Sequence, residues 1–182
     1  MIERRLPWLA MLALVLSACA TTTTDRMATI PGATPEGEIA AIVAAANEGE
    51  IQQGNAASSR ATSSDVRAFA QMMVTDHTNA LNTARDTFNR TAITPMDDDI
   101  SNTLRSNSQT TVTNLGTYSG TAFDRAYMQT QVDLHAWLLR QLDNALIPSA
   151  RTPELRTLLQ TQRGAVAAHL DRARTILNGL PM

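Results

Sequence analysis

The spacing of apolar residues between Val66 and Phe88 constrains the fold more than any other feature of the chain. Val66, Phe69, Ala70, Met73, His77, Ala80, Leu81, Ala84 and Phe88 recur at helical intervals. An α-helix turns once in about 3.6 residues, so these side chains share one face. Comparable patterns return in other stretches, each bounded by residues that start or stop helices. Nowhere is there a sustained alternation of β-branched and polar residues, and aromatic residues make up only 4% of the chain. The expectation is an all-α fold.

Five helices follow from the pattern. The first runs from about Pro35 to Ser59, with Ile39, Val43, Ala46, Glu50, Gly54 and Ala57 along its inner face. The second begins after Ser63 or Ser64 and reaches about Arg90. A third opens at Thr94-Pro95, with Asp97, Asp98 and Asp99 suited to the positive end of a helix dipole. Its apolar residues are sparse, so it is expected to lie against the others rather than among them. Thr121 and Asp124 resemble a capping box for a fourth helix, which reaches about Ala145. Its stripe is Met128, Val132, His135, Leu139, Leu142 and Leu146, widened by Tyr127, Leu134 and Leu138. The fifth starts at Thr152-Pro153-Glu154 and stops at Asn178-Gly179. Four long amphipathic helices and a shorter polar one make a four-helix bundle with a short crossover helix the economical architecture. Gly49 and Gly54, inside the first helix, are expected to serve close helix packing, because glycine otherwise costs a helix about 1 kcal/mol relative to alanine.

Ahead of the helices, Arg4 and Arg5 precede an apolar run from Leu6 to Leu16, followed by Leu16-Ser17-Ala18-Cys19. The run is too short for a bilayer, which needs about 20 residues. It reads as a signal segment, 1–18. The last four residues resemble the lipobox of bacterial lipoproteins, in which the cysteine sulfur takes up diacylglycerol. Several acyl chains, at about 0.8 kcal/mol per buried methylene, would make attachment effectively permanent. The partner so implied is the membrane, through lipid on Cys19. Ala20 follows where inner-membrane lipoproteins tend to carry aspartate, so the resemblance implies the cell envelope at the periplasmic face of the outer membrane. Residues 19–35 read as a flexible tether and 36–180 as the helical domain.

The formal net charge of −2, with no lysine among the basic residues, sets aside an electrostatic nucleic-acid binder and any lysine-based covalent chemistry. Cys19 is the only cysteine, so the fold has no disulfide to rely on. No nucleophile elbow, phosphate-binding glycine loop or His-Glu-x-x-His motif occurs, and no catalytic residue is assigned.

The chain has three histidines, His77, His135 and His169, one on the inner stripe of each of three helices. Glu50 occupies the inner stripe of the remaining long helix, and all four stand near mid-helix. Antiparallel packing would bring them within a turn or two of one layer, a turn being about 5.4 Å. Two readings are open. One is a hydrogen-bonded histidine–carboxylate network that fixes the bundle. The other is a transition-metal site, since neutral imidazoles and a carboxylate suit zinc, iron, manganese or copper, with Met73 favouring copper if it joins. Asp76, Asp133 and Asp171 point away from the histidines of their own helices and are expected to be solvated or to serve neighbouring helices.

The runs Asn47-Glu48-Gly49-Glu50-Ile51-Gln52-Gln53-Gly54, Val66 to Thr78 and Gly120 to Tyr127, with His135 and His169-Leu170, resemble one family. It is a domain-of-unknown-function family of secreted or lipid-anchored bacterial helical proteins, often labelled outer membrane protein and grouped with ferritin-like folds. The resemblance covers roughly residues 38 to 178 and implies a ferritin-like bundle without implying an activity. Ferritin-like di-iron centres use Glu-x-x-His pairs. The positions three before His77 and His169 are Val74 and Val166, so the resemblance leaves a di-iron centre unsupported. The leading expectation is therefore a lipid-anchored periplasmic bundle, not an enzyme, that binds an unidentified partner or supports the envelope. The alternative is a mononuclear metal-binding protein using Glu50, His77, His135 and His169.

Overall fold

The computed structural model describes residues 29–32 and 34–181. The signal segment, Cys19 and the start of the tether lie outside the described residues. Among the described residues the structure is all-helical, with no strand. α1 is Glu36–Arg60, α2 is Ser64–Thr91, α3 is Asp99–Leu115, α4 is Gly120–Gln141 and α5 is Pro153–Gly179. α4 continues through a π-helical turn, Leu142–Leu146, and a last α-turn, Ile147–Ser149. None of these helices is long and apolar enough to cross a membrane.

Connection lengths dictate the packing. Ala61 to Ser63 and Ala150 to Thr152 are too short for anything but antiparallel neighbours, so α1 pairs with α2 and α4 with α5. α2 packs on α5 to join the two hairpins, and α3 lies along α1 and touches α4. α1 is therefore buried on several sides, which its small residues allow. A side chain at Gly54 would meet Val74 and the Ala70 carbonyl of α2, and one at Gly49 would meet Ser108 of α3. Ser108 Oγ donates to the Gly49 carbonyl at 3.1 Å. The glycines serve close approach, as expected from their positions.

Several local details differ from expectation. α3 begins at Asp99 rather than at Thr94-Pro95, because Asp98 and Ser101 form a reciprocal capping box that Pro95 cannot provide. The Met96 amide donates instead to the Gly37 carbonyl, which ties the preceding segment to α1. α3 buries Ser101, Leu104, Ser108, Thr111 and Leu115, so small hydroxyl residues carry its contact face as much as apolar ones. Asp124 does not cap its own helix. It accepts from the Thr62 and Ser63 amides at 3.0 and 2.8 Å and so holds the start of α2. Glu36 does the same for α5, accepting from the Arg151 and Thr152 amides at 2.8 and 2.6 Å. Burial alone would raise the Glu36 carboxyl, but the hydrogen bonds from Thr152 and Arg151 hold it below the usual range. α5 ends without a left-handed glycine cap, Leu180 being extended.

The packed part of the chain also reaches back before residue 36. Ile30 is buried in the core and its amide donates to Gln141 Oε1 at 3.0 Å. The Thr34 amide bonds Ser149, whose hydroxyl donates to the Gly32 carbonyl. The expected tether thus gives way to docked chain at Ile30, because one isoleucine and the free backbone groups around it find partners at the end of α4.

The core is divided. One apolar cluster gathers Ile30, Ile39, Val43, Phe88, Trp137, Leu146, Leu155 and Leu159, and a second gathers Val66, Phe69, Met73, Phe123, Tyr127 and Met128. Apart from both stand the buried polar residues Asn47, Glu50, Gln53, His77, Gln131, His135 and His169, which come from α1, α2, α4 and α5.

Candidate functional site

Polar side chains at the centre of a bundle are expensive unless they find partners. His77, on α2, and His135, on α4, are carried inward by the stripes that bury Met73 and Leu138, and His169, on α5, by that of Val166. Their ring centroids form a nearly equilateral triangle with sides of 5.9, 5.3 and 5.4 Å. One ring nitrogen from each histidine lies within 4.8 Å of those of the other two.

Each ring is held by one nitrogen and bare at the other. His77 Nδ1 faces Asn47 Oδ1 at 2.9 Å, and Asn47 Nδ2 donates to the Val43 carbonyl at 2.8 Å. That second bond turns the asparagine oxygen toward the histidine, so His77 Nδ1 carries the proton. His135 Nδ1 donates to the Gln131 carbonyl at 2.9 Å, and His169 Nε2 donates to Asp76 Oδ2 at 3.1 Å. The opposite atoms, His77 Nε2, His135 Nε2 and His169 Nδ1, are buried with no hydrogen-bond partner among the described residues. Three acceptors thus fix three tautomers and leave a lone pair on each remaining nitrogen.

Electrostatics keep those lone pairs available. Burial pushes His77 well below the ordinary histidine value, and repulsion from His135 and His169 adds to it. Burial brings His135 down to about 4, against the pull of the Gln131 carbonyl. His169 is also lowered, by burial and by His135, with Asp76 and Glu50 opposing. All three are neutral imidazoles at neutral pH, the form that binds a metal.

Glu50 stands beside this triangle rather than in it. Its Oε1 lies 3.5 Å from His135 Nδ1, the protonated nitrogen, and both carboxylate oxygens lack a hydrogen-bond partner among the described residues. Burial raises it to about 7, with Gln131 and His169 resisting. The same neighbourhood contains Tyr127, whose buried hydroxyl is also unpartnered and whose proton is held far more tightly than usual by burial and by Glu50. Met73 packs in the apolar cluster with Phe69 and Tyr127.

The hydrogen-bonded network expected among the histidines and Glu50 forms only in part. Among the described residues its one histidine–carboxylate hydrogen bond joins His169 to Asp76, an aspartate of a neighbouring helix, and Asp76 is half exposed. The structure adds Asn47, Gln53 and Gln131 to the residues expected here. Gln131 stands four residues from both Tyr127 and His135, so the same helical step that marks the histidine marks it too. The amide of Gln131 donates to Gln53 Oε1 at 3.3 Å, which ties α4 to α1 next to the histidines.

Fold and site together define an all-helical bundle with a buried three-histidine cluster set between two apolar halves. Over residues 21–176 the sequence matches the family described as a domain of unknown function (DUF4142). The chain belongs to that family. No curated protein and no solved structure matches it.

Proposed function

We propose that this protein binds a single first-row transition metal ion on His77, His135 and His169. The observation that carries the reading is the set of three buried, neutral ring nitrogens, each bare and each fixed by a hydrogen bond on the far side of its ring. Such outer partners orient metal-binding histidines and raise their basicity. Imidazole ligands suit zinc, copper, iron or nickel, and a three-histidine set leaves one position open. Ligand nitrogens at about 2.1 Å in a tetrahedral site are about 3.4 Å apart. With separations up to 4.8 Å, the triangle tightens on binding. Glu50 belongs outside the ligand set, its carboxylate standing 3.5 Å from the His135 Nδ1 whose proton goes to the Gln131 carbonyl.

The architecture that goes with this reading is a ferritin-like four-helix bundle of α1, α2, α4 and α5, with α3 as the crossover. Val74 and Val166 replace the carboxylates a di-iron centre needs, and Val74 packs against Gly54. The reading also places the domain in the cell envelope on lipid carried by Cys19, supported by the Leu16-Ser17-Ala18-Cys19 sequence. Partner binding at the envelope is compatible with it, the metal site being internal.

Titration of metal-free protein with Co(II), followed by its visible absorption, tests the site. One equivalent should bind with tetrahedral band intensity. His77→Ala, His135→Ala and His169→Ala should each remove it, and Asn47→Ala, which takes away the partner of His77 Nδ1, should weaken it by roughly 10- to 100-fold. Binding that survives all three histidine substitutions would show the reading to be wrong. Anchoring is tested apart: Cys19→Ala should abolish acyl labelling and membrane partitioning, and label retained by that variant overturns it.

A further inference from the structure

A small cavity adjoins the three histidines. It has a volume of about 60 Å³ and lies among α1, α2, α4 and α5. Its wall includes His77 and His169, two of the residues with a bare ring nitrogen. Most of the remainder is apolar, including Ile42, Leu138, Leu142, Leu146 and Val166. The polar exceptions are Asn47 and Asp76, already bonded to the histidines, and Gln162. Gln162 Nε2 is buried without a partner among the described residues, so an amide donor lines the cavity with nothing to donate to. The π-helical turn of α4 supplies Leu142 and Leu146 to the wall, with the Ile147 amide bonded to the Leu142 carbonyl. Turns of this kind are frequent at functional sites.

We infer that this cavity admits a small neutral diatomic molecule, of the class of dioxygen and nitric oxide, to the open position of the metal, with Gln162 donating a hydrogen bond to it. The inference rests on the metal site proposed above. Size narrows the class: a cavity of 150 Å³ takes benzene, so about 60 Å³ suits a molecule well below that size. A largely apolar wall selects a neutral molecule, since an anion needs a counter-charge. Among the described residues no cationic side chain lines the cavity. Gln162 Nε2, buried with no partner among the described residues, gives a bound molecule a directional contact.

The test uses the full chain loaded anaerobically with Fe(II), with nitric oxide as the probe and the S = 3/2 resonance of its adduct as the readout. Wild-type protein should give the signal. Ala80→Leu, which fills the cavity from α2, should keep its Fe(II) and lose at least tenfold in nitric oxide affinity, and Gln162→Leu should lose severalfold. Failure to bind Fe(II) or Co(II) at all overturns the metal reading and the inference with it. Full loading with no adduct, or an adduct indifferent to Ala80→Leu, overturns the inference alone. Xenon and metal-free wild-type protein give a second measurement, independent of whether Ala80→Leu folds. Saturable shifts at the methyls of Ile42, Leu138 and Val166 support the cavity as a gas site, and shifts confined elsewhere overturn it.

Discussion

Withdrawing a carboxyl from water stabilises its protonated form, which is why Glu50 titrates near 7 instead of 4.5. The buried histidines respond in the opposite sense, since burial disfavours their charged form. For Glu50, whose folded value is raised, the stabilising contribution is complete below pH 4.5 and is lost as pH rises through 7. For the histidines, whose folded values are lowered, it is complete above 6.5 and is lost as pH falls toward about 4. Three histidines outweigh one glutamate, so metal-free protein should lose stability on acidification below pH 6.5. Glu50→Gln should gain about 3 kcal/mol at pH 8, at roughly 1.4 kcal/mol per pKa unit, and gain nothing at pH 4.5. Thermal unfolding of both proteins across that range is the measurement, and a pH-independent difference contradicts the assignment. The histidines were legible in the sequence because a helical step of three or four residues announces an inner face. Asn47 and Gln53 were less so: each falls a helical step from Glu50, but α1 is buried on several sides, so no single apolar stripe marks its inner residues.

At the scale of the element, the helices were legible and their ends less so. α2, α4 and α5 follow their apolar stripes closely, since each buries one face against two neighbours. α3 starts later than Pro95 suggested, because the capping box of Asp98 and Ser101 satisfies backbone amides that proline leaves untouched. Asp124, just past the first turn of its own helix, and Glu36, in the first turn of its own, hold the starts of α2 and α5 instead, a relation between elements that no local window contains. Two glycines separate propensity from packing. Alanine improves a helix by about 1 kcal/mol over glycine. At Gly164 no atom lies within 4 Å of an added Cβ, so Gly164→Ala should stabilise by up to that amount. At Gly54 the added carbon would stand 2.9 Å from Val74 Cγ2 and 3.0 Å from the Ala70 carbonyl oxygen. Backbone gives way at a cost, and Gly54→Ala should destabilise by about 1–3 kcal/mol. Chemical denaturation of the two variants settles it, and shifts of the same sign would refute the close packing of α1 on α2.

On the scale of the whole molecule, a polar layer separates two apolar clusters, and the three histidines in it come from three helices. An ion bound there would link α2, α4 and α5 across that seam. A metal at a hundredfold excess over its Kd adds about 2.7 kcal/mol to the folded state. In a chain of this size that raises Tm by about 5–10 °C. Chelator should reverse the rise and His169→Ala should abolish it, as calorimetry would show. The amino-acid sequence by itself determined that the chain is helical and that His77, His135 and His169 turn inward, since periodicity is a property of each helix alone. It also marked Cys19 as the point of attachment to test. Only the tertiary structure decided that the three rings meet at one level, that Asn47, Gln131 and Asp76 fix their tautomers, and that Glu50 stands behind His135. Those outcomes depend on the register between helices, which connection lengths, glycine contacts and a π-helical turn set together, and register is settled only when the helices pack.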